Sequence, residues 1–232
     1  MIHYHGGNFT DRQFWGMSGK HFCVSFLYPK WASQSVRTGQ SVMFDNGAFS
    51  IYTQNKNITW DKYYSWVEKY IGHPHWAVVP DCIDGKEADN LDLIKQWPFR
   101  KDCAAIVWHL SESIDHLLKL SNLGFGKIAF GSSGDYWQVG SDRWERRTDM
   151  AFNALAKRGQ LPWVHLMRGL SIGGKRWPFS SADSTSISMH QNEDSTNSSA
   201  ESFPVAEYLA RQVDSSQTPI EWKIRAEQLD MI

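Results

Sequence analysis

Short runs of consecutive apolar residues recur along the chain, and each runs into a polar residue. They occupy residues 1–4, 21–26, 41–44, 76–79, 104–108, 127–130, 163–167 and, most weakly, 177–179. Runs apolar at every position, rather than at alternate ones, fit strands buried on both faces, as in a parallel sheet. Helical patterns lie between them. Thr59 is placed to cap a helix over 60–71 with Trp60, Tyr63, Val67 and Ile71 on one face. Residues 87–96 form another. Residues 113–123 put Ile114, Leu117 and Leu118 on one side, with Gly124 as the stop. Ser141 caps a longer helix reaching Arg158 and closed by Gly159, and 204–213 is the last. Strand–helix alternation predicts an α/β protein. Eight candidate strands favour a closed (β/α)8 TIM-type barrel over an open sheet, as one domain over residues 1–232. Residues 180–202, rich in Ser, Asn, Asp and Glu, read as a long loop after the last strand, a feature that is usually functional or disordered. No internal repeat is visible.

Composition narrows the classes. Hydrophobic residues make up 41% of the chain, enough for a sizeable core. A formal net charge of -1 excludes coating nucleic acid through bulk charge, so any such binding must use a local basic patch. Cys23, Cys82 and Cys103 stand far apart with no CxxC pair, which argues against a structural zinc site and a disulfide framework. No apolar run approaches the ~20 residues needed to span a bilayer. Residues 1–7 are polar and unlike a signal peptide. A cytoplasmic location without a membrane partner is therefore expected. Twelve tryptophans serve either core packing or stacking on flat or sugar-like ligands.

In parallel barrels the active site lies at the C-terminal ends of the strands. There this chain places Asp45, Asp81, His109, the Gly131-Ser132-Ser133-Gly134 loop, Arg168-Gly169 and Asp183. Taken singly, an Asp before Asn-Gly is a common turn residue, and an Asp after a strand often caps a helix. Together, three carboxylates at one barrel mouth suit glycosyl chemistry. One can attack or stabilise an anomeric carbon while another moves a proton. The same set could hold a divalent metal, although no HxH or HxxxD spacing links these strand-end residues, and no metal or cofactor is expected. The Gly131–Gly134 loop could cradle a phosphate. Arg143, Arg146, Arg147, Lys175 and Arg176 could contact a phosphate backbone or form a solvated face.

The order of these segments resembles the tRNA-guanine transglycosylase superfamily, in particular its DNA-acting branch, the DpdA-like deazapurine DNA transglycosylases and related antiphage DNA glycosylases. Asp45-Asn46-Gly47-Ala48-Phe49 resembles the family's Asp-Ser-Gly-Gly-aromatic motif. Val79-Pro80-Asp81-Cys82 resembles its Phe-Asp-x-Cys stretch. Val107-Trp108-His109 resembles Val-Gln-Gly, with His109 in place of a base-reading Gln. Phe130-Gly131-Ser132-Ser133 resembles a Gly-Gly-Leu loop, His165-Leu166-Met167 a Tyr-Leu-Met stretch, and Ser181-Ala182-Asp183-Ser184 the segment bearing the nucleophile. The resemblance spans residues 41 to 188 and implies a (β/α)8 barrel acting on a flipped nucleotide. In that reading Asp183 acts at the sugar C1′ and Asp45 is the general acid/base. Phe49 and Met167 sandwich the base, while Asp81, His109, Gly131 and Ser132 read its edge. Arg143, Arg146, Arg147, Arg168, Lys175 and Arg176 hold phosphates. The family's zinc subdomain and the Pro-Thr-Arg after its nucleophile are missing, so DNA rather than tRNA is the implied partner. The activity implied is excision of a modified base, directed against phages with modified DNA. Exchange of guanine for a 7-deazaguanine is an alternative. From the residues themselves, a metal-dependent barrel hydrolase and a non-catalytic nucleic-acid or nucleoside binding module also remain open.

Overall fold

The computed structural model describes residues 1–56, 58–159, 161–169, 176–189 and 205–225. Eight parallel strands close into a barrel in chain order. They are β1 (Ile2–Gly6), β2 (His21–Ser25), β3 (Ser41–Asp45), β4 (Trp76–Val78), β5 (Ala104–His109), β6 (Lys127–Gly131), β7 (Val164–Leu166) and β8 (Ser181–Ser184). β8 pairs back onto β1, Ile2 opposite Ser181 and Tyr4 opposite Asp183. The fold is the (β/α)8 barrel that strand–helix alternation predicts. Among the described residues no helix is long and apolar enough to cross a membrane.

The helices are α1 (Asp11–Gly16), α2 (Ala32–Thr38), α3 (Ala48–Thr53), α4 (Trp60–Val67), α5 (Glu87–Lys95), α6 (Ile114–Leu120), α7 (Asp142–Ala156), α8 (Ser186–Met189) and α9 (Val205–Ser215). Ser113 and Ser141 cap α6 and α7 by accepting from the backbone N–H groups of His116 and Trp144. Gly124 has φ +77, the left-handed conformation that ends a helix cleanly. Three helices, α1 to α3, have no counterpart in the sequence reading. They are only six or seven residues long, too short to show a period. The helix expected over 60–71 stops at Val67, and Thr59 makes no side-chain cap.

Side chains alternate between two cores. Tyr4, Met43, Trp76, Val78, Ala105, Val107 and Ala129 fill the barrel interior. Phe22, Val42, Phe44, Ile106, Trp108, Phe130 and Leu166 point outward into the layer under the helices. Burial on both faces explains the unbroken apolar runs.

The eighth strand is the main correction. It is Ser181–Ser184, not 177–179, and Asp183 therefore lies on it rather than after it. Trp177 and Phe179 instead anchor the outer layer. Trp177 meets Trp144 edge-on at 5.2 Å and donates to Asp149 at 2.8 Å, and Phe179 meets Phe152 at 5.1 Å. The loop expected over 180–202 thus begins as strand and as α8, and its remainder, from 190, lies outside the described residues.

Candidate active site

Strand alternation decides what faces the barrel mouth. Met43 is interior, so Asp45, two residues on, faces the same way, and Asp183 follows Ser181 in the same manner. At this C-terminal end opens a recess of about 560 Å³, within the range of roughly 300–1,000 Å³ usual for small-molecule sites. Asp45, Phe49, Asp81, His109, Gly131, Ser132, Met167, Arg168 and Asp183 all line it. The base-binding and catalytic candidates are therefore brought together.

Asp183 is held on one oxygen. Its Oδ1 accepts from the Arg168 backbone N–H at 3.0 Å and lies 3.2 Å from His165 Nε2. The imidazole is itself fixed, with Nδ1 2.8 Å from the Ser181 hydroxyl, which also accepts from Trp163 Nε1 at 2.9 Å. The other carboxylate oxygen, Oδ2, carries no hydrogen bond from the described residues. A carboxylate oriented on one oxygen and open on the other can meet a developing positive charge.

Asp45 is electrostatically different. Burial, then the negative charges of Asp183 and Asp81, push its pKa up to about 7, against smaller stabilisation from Ser25 and the Gly47 backbone N–H. Gly47 sits at φ +76, and a Cβ there would stand 3.0 Å from Leu27. The Asp-Asn-Gly turn thus needs its glycine to bring the N–H onto Asp45, at 3.1 Å. Cys23 lines the recess nearby, but burial and then the charges of Asp183 and Asp45 push its pKa far up, so it stays a thiol.

Asp81 is occupied within the protein. Asn46 donates to its Oδ1 at 2.7 Å and to the Val79 carbonyl at 2.9 Å, while His109 Nε2 lies 3.0 Å from Oδ2. Neither ring nitrogen of His109 makes a well-aligned hydrogen bond, so charge holds this contact. Burial disfavours the imidazolium, but Asp81 and then Glu112 outweigh it and raise the pKa. A Cβ at residue 131 would stand 3.0 Å from His109 Nδ1, so Gly131 makes room for this ring. The Ser132 hydroxyl accepts from Trp144 Nε1 at 3.0 Å.

The phosphate-binding candidates are less uniform. Arg147 donates to the Leu110 carbonyl at 2.9 Å and to the Glu112 carbonyl, an internal structural role. Arg176 pairs with Asp149 at 2.8 Å and Glu145 at 3.4 Å, and Arg143 with Asp135 at 3.3 Å. Arg146 is exposed, and Lys175 lies outside the described residues. Arg168 has φ +61, and its guanidinium lies 3.2 Å over the Phe49 ring. One face of the expected base-stacking ring is therefore already covered.

Asn46, Glu112 and His165 are site residues that the strand-end reading does not single out. Buried Glu112 accepts from the His109 backbone N–H at 2.9 Å and from Asn90 at 2.9 Å, which fixes the end of β5. Two HxH triplets do occur, His3-Tyr4-His5 and His73-Pro74-His75, neither of them ending a strand. Since Tyr4 points inward, His3 and His5 face outward, where His5 Nε2 lies 3.0 Å from Asp214 of α9. Among the described residues, one trio of metal-ligating groups has its atoms within 4.8 Å of one another: His73, Asp102 and Cys103. It lies at the opposite end of the barrel, and Arg100 already donates to Asp102 at 3.0 Å. The carboxylates of the recess do not converge that closely. No family model matches this chain, and neither does any curated protein or solved structure.

Proposed function

We propose that the chain is a DNA glycosylase that cleaves the N-glycosidic bond of a modified nucleobase. The observation that carries this reading is the unequal pair at the barrel mouth. Asp183 is held by His165 and the Arg168 N–H, while Asp45 is pushed up to about 7. Two carboxylates in such different surroundings, one fixed by donors and one buried, can divide the work of glycosyl transfer.

The target nucleotide leaves its stack and enters the recess. As the C1′–N bond breaks, its electron pair goes to the base, and Asp183 stabilises or captures the positive C1′. Asp45, protonated near neutrality, gives its proton to the departing base. Its carboxylate then takes a proton from the water that adds to C1′, leaving an abasic site. Asp81 and His109 line the recess as a mutually engaged pair, and the base edge is read at that pair. A role against phage DNA belongs to the same reading and rests on the resemblance alone.

The test incubates phage genomic DNA, with plain or hypermodified cytosine, with the protein and with Asp183→Asn. Abasic sites and released bases are measured by mass spectrometry. Abasic sites formed by the parent and not by a folded Asp183→Asn support the reading. Binding without turnover would leave a binding module. Incorporation of added labelled 7-deazaguanine without abasic sites would make it a base exchanger.

A further inference from the structure

The rim of the recess carries exposed aromatic rings in an arrangement that a nucleobase pocket alone does not require. Tyr28, which follows β2, is 50% exposed, and Trp137, which follows β6, is 71% exposed; both line the mouth. Strands four places apart in a closed barrel of eight lie on opposite sides of it. Tyr28 and Trp137 therefore stand on opposite sides of the opening. Scattered exposed hydrophobics are ordinary, but rings gathered around one recess mark a binding surface.

Charge argues for the kind of polymer. Of the candidate phosphate-binding arginines, Arg143 and Arg176 pair with carboxylates, and Arg147 is turned inward onto backbone carbonyls. Arg168 lies on Phe49, and of the two exposed members, Arg143 and Arg146, only Arg143 has a carboxylate partner among the described residues. The chain as a whole has a formal net charge of -1. Duplex binders draw most of their affinity from many phosphate contacts. Proteins that hold unpaired strands draw much of it from bases stacked on aromatic rings. Base flipping also costs least in a strand already unpaired.

We propose that the substrate of this site is single-stranded DNA, with the bases flanking the target stacked on Tyr28 on one side of the mouth and Trp137 on the other. This rests on the glycosylase reading for the identity of the polymer. The test is fluorescence anisotropy with a fluorescein-labelled, unmodified oligodeoxynucleotide, alone, annealed to its complement, and compared with RNA of the same sequence. The single strand should bind at least about tenfold more tightly than the duplex, as stacking-based capture implies. Its log–log salt slope should be shallower than about -2, corresponding to fewer than about three phosphates. Tyr28→Ala and Trp137→Ala should each weaken binding about fivefold or more with unchanged melting temperature, and the Phe replacements should retain it. Equal or tighter duplex binding, no measurable single-strand binding, tighter RNA binding, or two alanine variants that bind like the parent would each overturn it. The two proposals separate cleanly. Base release from duplex as fast as from single strands would sink this one and leave the glycosylase. Ring-dependent capture of single strands with no base ever released would do the reverse.

Discussion

At Asp45, burial and two neighbouring carboxylates act together against ionisation, and the consequences for rate and for stability have opposite signs. Base release that depends on protonated Asp45 should be level below pH 7 and fall about tenfold per unit above it in single-turnover assays. In the unfolded chain the same carboxyl ionises near the ordinary value, about 4. The folded state thus holds the extra proton between about pH 4 and 7, and stability declines as pH rises through that window. Asp45→Asn should therefore melt higher than the parent by a larger margin at pH 8 than at pH 5, while excision drops on the order of 10²-fold. An equal margin at both pH values would refute the buried-charge account. Residues of this kind were legible because they end apolar runs. His165 was not, although it shares the inward face with Met167, and a fully buried polar side chain on an interior strand position signals a fixed partner. Asn46 was hidden by its resemblance to an ordinary Asn-Gly turn, and its value lies in reaching Asp81 on a neighbouring loop.

At the scale of elements, the strands whose apolar runs face both cores were readable to within two residues at either end. β8 was not, because it is Ser-Ala-Asp-Ser. Ser181 and Asp183 face polar partners inside the barrel and only Ala182 faces the helices, so no apolar run marks it. The large residues nearby, Trp177 and Phe179, pack against α7 instead. The attachment of α9 was equally invisible, since it depends on groups more than 190 positions apart. Asp214 accepts from Lys20 at 2.6 Å and contacts His5 at 3.0 Å. Burial would raise its pKa, but the hydrogen bonds from His5 and Lys20 outweigh this and hold it at about 2. Its contribution is present above the ordinary carboxylate range and is lost as pH falls toward 2. Asp214→Ala should cost about 1–3 kcal/mol at pH 7 by stranding its partners, with a smaller difference from the parent near pH 3. Chemical denaturation at the two pH values checks this, and a pH-independent difference would mean that packing, not the ion pair, holds the helix.

For the whole molecule, closure is a structural requirement of the site. β8 pairs with both β7 and β1, so a chain ending at Ser180 leaves two parallel strands with bare edges. Such edges recruit other chains. The truncated protein should elute as aggregate in size-exclusion chromatography and lack a cooperative melt, whereas a monomer with a native-like transition would show that seven strands suffice. The same pairing sets a timetable during synthesis. β1 leaves the ribosome first, and its partner begins at residue 181. At roughly 5–20 residues per second, the wait is on the order of ten seconds or more. Asp45 is made 138 residues before Asp183 (183 − 45). Under the proposed function, a nascent or prematurely released chain carries half of the carboxylate pair, and the recess is complete only after the last strand has been translated.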